Sequence, residues 1–206
     1  MHNYFTVTIE FIMKKLVFLL VIVFTFSAFA QEATLINGEI ESGGFGGPVL
    51  KVTNINGENS VMVGGRGGWI INHSFVLGGG GYGLVTDVKA KVSDSIHQYI
   101  EMGYGGLELE YFASSNDLLH LSIGMLVGGG GIGYKYEDND AFNSSHNKNA
   151  FFVFEPNINA NLNVTRFFRI AAGVSYRYVS GLKSVVSTNA DLSGPSANLT
   201  FKFGRF

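Results

Sequence analysis

Between Phe151 and Leu162 the chain alternates apolar and polar positions with a period of two. Phe152, Phe154, Pro156, Ile158, Ala160 and Leu162 fall on one side, and Glu155, Asn157, Asn159 and Asn161 follow Phe151 and Val153 on the other. A period of two predicts a strand whose faces meet unlike media. The pattern recurs elsewhere. Phe168, Ile170, Ala172, Val174, Tyr176 and Tyr178 oppose Arg169, Ser175 and Arg177. Leu107, Leu109 and Tyr111 oppose Glu108 and Glu110, and Leu119, Leu121, Ile123, Met125 and Val127 oppose His120, Ser122 and Gly124. Leu199, Phe201 and Phe203 oppose Asn198, Thr200 and Lys202, and Val61, Val63 and Trp69 oppose Arg66. Eight strands are expected, at Gly43–Ile55, Val61–Ile71, Phe75–Thr86, Gln98–Ala113, Leu118–Tyr136, Ala150–Leu162, Phe167–Val179 and Ser196–Phe206. Pro48 argues for an early or weakly paired position in the first. Helical periodicity is absent after residue 30.

The connections alternate in length. Asn72-His73-Ser74, Ser114–Asp117 and Asn163–Arg166 are tight, whereas Asp87–His97, Glu137–Asn149 and Ser180–Pro195 are long; Asn56–Asn59 is the one short member of the second set. A transmembrane barrel sorts its connections this way, with short periplasmic turns and longer external loops. A soluble sandwich has no reason to do so. The expected fold is therefore all-β, an eight-stranded antiparallel up-and-down transmembrane barrel. An Arg or Lys facing lipid at mid-bilayer costs about 2–4 kcal/mol, so the polar set should point inward. That set comprises Arg66, Arg169, Arg177 and Lys202 with Glu108, Glu110 and Glu155, interleaved with Asn157, Asn159 and Asn161. Four cations against three carboxylates read as a mutually neutralising, filled lumen, since eight strands leave an interior just wide enough for side chains. Phe152, Phe154, Ile158, Leu162, Phe168, Ile170, Val174, Leu199, Phe201 and Phe203 are expected to face lipid.

Composition adds a destination. Lys14 and Lys15, the apolar run Leu16–Phe26 and the small-residue site Ser27–Ala30 have the order of a cleavable export signal. The apolar run is short of the about 20 residues a membrane helix needs. Residues 1–12 fit no part of such a signal, and Met13 is the expected true start. The expected organisation is a signal peptide over 1–30, a polar leader over 31–42 and the barrel over 43–206. Without residues 1–30 the chain has twelve basic and fifteen acidic residues, a formal charge of −3, which offers nucleic acid no basic footprint. The absence of cysteine excludes disulfides, thiolate metal sites, a cysteine nucleophile and a lipoprotein anchor.

Glycine is abundant, at 28 residues, and its tracts fall in strands two to five. Gly78, Gly80, Gly83 and Gly128, Gly130, Gly133 both spell Gly-x-Gly-x-x-Gly, yet no helix follows either to make a dinucleotide site. They read as points of bending and close approach. In strand three the glycines conceal the facing: either Tyr82 and Leu84 or Leu77 and Val85 point outward. Aromatic residues gather at strand ends, with Tyr134, Tyr136, Phe151, Phe152, Tyr176 and Tyr178 toward the external side and Phe167, Phe168, Phe203 and Phe206 toward the periplasmic side. Two headgroup belts are expected from them. The five histidines form no local ligand pair. His97 with Ser93 or Ser95, and His146 with Ser144 or Ser145, read as ordinary loop composition, and Glu137–Asp140 as a solvated acidic loop lacking the ligand pattern of a calcium loop. No catalytic, cofactor or metal site is expected.

With its export signal, eight alternating strands, sorted loops and terminal Phe206, the chain resembles the small eight-stranded outer-membrane barrels of Gram-negative bacteria, over Gly43 to Phe206. The resemblance implies a bacterial outer-membrane location and outer-membrane lipid around the wall. It also implies recognition of Phe206 by the barrel assembly machinery, although Phe206 is out of phase with Leu199, Phe201 and Phe203. It implies no specific activity. The expected function is a non-enzymatic integral barrel with loops for envelope structure or contact with an extracellular ligand. The alternatives are a narrow pore for small solutes, a lipid-modifying barrel enzyme and a soluble lipocalin-like periplasmic carrier.

Overall fold

The structure is a computed structural model that describes residues 41–90, 98–136, 149–184 and 187–206. The signal peptide, the start at Met13, nearly all of the leader, the Glu137–Asp140 loop and the His97 and His146 clusters lie outside the described residues. In chain order the elements are β1 (Ser42–Ile55), β2 (Glu58–Ile71), β3 (Phe75–Leu84), β4 (Val88–Lys89), β5 (Gln98–Phe112), β6 (Leu119–Tyr136), β7 (Asn149–Asn163), β8 (Phe168–Ser180), α1 (Asn189–Leu192) and β9 (Gly194–Arg205). Each long strand pairs antiparallel with the next, β3 pairs with β5 across the β4 excursion, and β1 pairs with β9 to close the ring. Closure removes every sheet edge among the eight long strands, the condition for a sheet to cross a membrane.

Three details differ from the sequence expectation. The first hairpin tightens to the two residues Asn56 and Gly57, both with positive φ. Asn-Gly suits the turn whose twist matches that of flanking strands, so β2 starts at Glu58 and the pair runs to Ile55↔Glu58. The loop after β3 contributes the short β4, whose Val88 and Lys89 pair with Ile100 and Tyr99. The loop after β8 contains a single helical turn, α1, started by a capping box in which Thr188 accepts from Asp191 N and Asp191 accepts from Thr188 N. Four residues are too few to leave a periodic trace in sequence.

Burial runs opposite to that of a soluble sheet. Ile158 is 55% exposed and Val174 62%, while Lys202 and Arg177 are 0% exposed. Leu50, Val63, Trp69, Leu107, Leu121, Met125 and Phe203 are likewise exposed on the wall. The register settles β3: Tyr82 is buried and Leu84 half-buried against the interior cluster, while Leu77 and Val85 are exposed.

The glycines divide by face. Inward ones are sterically required. A Cβ at Gly128 would meet Gly105 O, one at Gly64 would meet Gly81 O and the Tyr82 ring, and one at Gly130 would meet the Phe151 ring. Tyr82 and Phe151 thus lie flat across bare backbone of neighbouring strands, which fits bulky rings into a narrow barrel. Several outward glycines face open space: a Cβ at Gly81 would find nothing nearer than Tyr104 O at 4.0 Å, and one at Gly83 or Gly133 nothing within 4 Å.

Candidate functional site

The interior is filled in three tiers, and the middle one is ionic. It follows from strand phase: β7 sends Glu155, Asn157, Asn159 and Asn161 inward, and β6 answers in register with Leu126, Gly124, Ser122 and His120. A Cβ at Gly124 would meet Leu109 O at 2.8 Å and the Asn157 amide at 3.0 Å, so the position stays bare. From β5 come Glu108 and Glu110, from β2 Arg66, from β9 Lys202 and from β1 Lys51.

Glu110 is the hub. It receives Arg66 Nη2 at 2.9 Å, Lys202 Nζ at 3.1 and 3.2 Å, and the Ser122 hydroxyl at 2.6 Å. Arg66 also pairs with Glu108, which accepts from the Tyr82 hydroxyl. Lys202 donates to Asn161 Oδ1 at 2.9 Å, and Asn161 Nδ2 donates to Ser122 at 2.9 Å. A second knot forms at Glu155, which accepts from Lys51 at 2.8 Å, Tyr104 at 2.6 Å and Ser175 at 2.6 Å. The Lys51 ammonium sits 3.6 Å from the centroid of the Tyr82 ring and so ties the two knots together. Asn159 donates to Asn157 at 2.8 Å. The void left among Lys51, Arg66, Glu108, Glu155, Asn157 and Asn159 is about 20 Å³, room for about one water.

The expected lumen set is therefore all inside, but it does not act as one group. Arg66 and Lys202 pair with carboxylates; Arg169 and Arg177 do not. Arg169 lies at the short-turn end, donates to Ser115 O at 3.4 Å and stacks over the Phe206 ring at 4.1 Å. Phe206 leaves the phase of Phe203 and packs with the buried Phe45, Ile70, Val76 and Phe112, so it closes the interior at that end. His120 sits edge-on to Phe112 there. Arg177 lies at the long-loop end. It donates to Leu192 O at 2.7 Å, to Asn54 O at 3.3 Å and to the Met62 sulfur at 3.4 Å. Around it the interior is apolar: Ile55, Met62, Ile100, Ile132, Val153, Val179 and Leu192 form one packed cluster. This corrects two expectations. Carboxylates meet cations only in the middle of the lumen, and neutralisation is incomplete: among the described residues the five interior cations Lys51, Arg66, Arg169, Arg177 and Lys202 face three carboxylates.

Sequence reasoning missed Lys51, although Leu50 and Val52 alternate with Lys51 and Thr53 and carried the signal. Tyr104 was legible too, in phase with Glu108 and Glu110. Tyr82 had no signal, because glycines surround it and mark neither face. Tyr134 and Phe151, expected in a headgroup belt, point inward instead and are buried. Tyr134 hydrogen-bonds Ser184 and Ser187 at the long-loop end. Phe152, Tyr176 and Tyr178 are exposed on the outer wall. At the short-turn end Phe168 stacks on Phe203 at 4.8 Å and Phe75 meets Tyr111 at 5.0 Å. The remaining wall residues Phe154, Ile170, Leu199 and Phe201 are half-buried, while Leu162 is exposed. Among the described residues, no three His, Asp or Glu side chains converge where a metal ion could sit.

No protein-family model matches the chain, and no curated protein does. Solved structures match in fold. Neisserial surface protein A is similar over 82% of this chain and 99% of its own, with 10% identity and a TM-score of 0.54. The N-terminal β-barrel domain of Pseudomonas aeruginosa OprF covers 81% and 99%, with 12% identity and a TM-score of 0.47. Ail, the attachment invasion locus protein of Yersinia pestis, covers 81% and 99%, with 14% identity and a TM-score of 0.46. The first of these, with the closed ring of eight long strands, identifies the fold as that of the small eight-stranded outer-membrane β-barrels.

Proposed function

We propose that the chain is an integral protein of the bacterial outer membrane, a sealed and non-enzymatic barrel that presents the segments at its long-loop end to the exterior. The observation that carries this reading is the inverted burial. Ile158, Val174 and Leu121 stand exposed around a wall whose interior holds Lys202, Glu110 and Arg177 at 5% exposure or less. Water is a poor solvent for that wall and lipid a good one. Outer-membrane lipid is then the first partner, and the barrel assembly machinery the second, during insertion. An extracellular ligand would meet the long-loop end.

The narrow-pore alternative has less support. A passage would have to cross the Glu110 and Glu155 knots, where the void is about 20 Å³, and then the Phe206 and Leu192 closures. A lipocalin-like carrier needs an apolar interior throughout, and the middle tier here is charged. Fractionation tests the reading. The mature protein should sediment with outer membranes, resist extraction by alkaline carbonate and dissolve only in detergent; release by osmotic shock would overturn it.

A further inference from the structure

Among the described residues, Arg177 is the one wholly buried cation that ends on neutral acceptors. Lys202 and Lys51 each hold a carboxylate, and Arg66 holds two. Arg177 holds the carbonyls of Leu192 and Asn54 and the Met62 thioether, beneath it the Tyr104 ring at 5.7 Å. A guanidinium taken out of water loses several kcal/mol of hydration, roughly, and neutral acceptors return less of it than a carboxylate, which can engage two N–H groups at once. Among the described residues the interior carries two more cations than carboxylates.

The group that covers Arg177 is unusual as well. Leu192 is 0% exposed and belongs to the apolar cluster at the long-loop end, and the same residue supplies the carbonyl on Arg177 Nε. Leu192 thus combines an apolar tail in a cup with an oxygen on a cation. It is delivered by α1, a single turn whose anchors include Asn56 N to Asp191 O at 2.7 Å, Val179 N to Ser193 Oγ at 3.0 Å, Leu182 N to Asn189 Oδ1 at 3.0 Å and Arg177 itself. An isolated turn of four residues has almost no stability of its own, so the seat of Leu192 depends on these contacts.

We propose that the long-loop end of the interior is a binding site for a small carboxylate with an apolar tail of about leucine size, with Arg177 as counter-ion, and that Leu192 occupies the site as an internal surrogate. The ligand's tail takes the Leu192 place among Ile55, Met62, Ile132 and Val179, and its carboxylate takes the place of the Leu192 carbonyl.

The test is calorimetric titration of the purified mature protein in detergent with hexanoate, and with hexanol as the uncharged control of equal length. Leu192→Ala empties the cup, keeps Arg177, and leaves the backbone carbonyl of residue 192 for the carboxylate to displace. It should bind hexanoate at least about tenfold tighter than the wild type, and prefer hexanoate to hexanol by about tenfold, the worth of a hydrogen bond to a charged group. Adding Arg177→Gln should erase the preference, while adding Arg177→Lys, which keeps the charge if Gln impairs folding, should retain part of it. The proposal is overturned if Leu192→Ala binds hexanoate no tighter than the wild type, if it binds hexanoate and hexanol alike, or if the preference survives Arg177→Gln.

Discussion

Glu110 shows how one side chain can hold three strands together. Its carboxylate accepts from Arg66 on β2, Lys202 on β9 and Ser122 on β6, all in the barrel interior. Removing that charge leaves Lys202 without a carboxylate and Arg66 with Glu108 alone. Breaking a buried pair by deleting one partner costs about 3–5 kcal/mol, because the remaining charge is left uncompensated. Glu110→Gln should therefore lower unfolding stability by about that amount, measured by denaturant unfolding in detergent micelles. Pairing it with Lys202→Met should recover part of the loss, because the cation left without a carboxylate is gone. If the double variant is no more stable than Glu110→Gln, the network is not organised around this carboxylate. The same logic made Glu110 readable in sequence: a carboxylate two residues from another, on the face opposite Leu109 and Tyr111, has no place in a membrane wall. Which donors it would meet was not readable, because Arg66, Lys202 and Ser122 come from three separate strands.

Strand β7 shows what alternation can and cannot specify. Its apolar column faces out and its Glu155 and asparagine column faces in, and each register position follows from a period of two. Ile158 lies midway along the wall at 55% exposure. Ile158→Arg should cost about 2–4 kcal/mol in lipid vesicles; an effect near zero would mean that this face meets water. Strand β3 is the opposite case. Its glycines carry no face, and only packing separates them. A Cβ at Gly80 would collide with the Glu108 carboxylate and come within 2.9 Å of the Tyr82 hydroxyl, whereas Gly81 has room. Gly80→Ala should destabilise by about 1–3 kcal/mol through overpacking. Gly81→Ala should be neutral, or stabilise by about 0.4–1 kcal/mol by restricting the unfolded chain. Parallel unfolding curves check the pair, and equal effects would refute the assigned facing. The turn α1 and the strand β4 escaped sequence reading because each is too short to establish a period.

The described strands form a closed ring with an ionic middle and an apolar closure at each end, Leu192 at one and Phe206 at the other. Such an interior should not conduct. Planar-bilayer recordings of the wild type should show no discrete steps, and steady openings would overturn the sealed reading. The sequence by itself determined the class, the number of long strands and the inside-out polarity. These are local properties: a period of two, turn residues at the breaks, and charges that no lipid-facing column can carry. Only the tertiary structure decided how the interior is divided. Whether a cation finds a carboxylate depends on strands far apart in the chain meeting at one height, so Lys51 reaches Glu155 across 104 positions while Arg177 is left to carbonyls. Tyr134 and Phe151 point inward for the same reason. Above the ionic tier the described interior is largely apolar, and there Tyr134, Phe151 and Leu192 fill the space around Arg177.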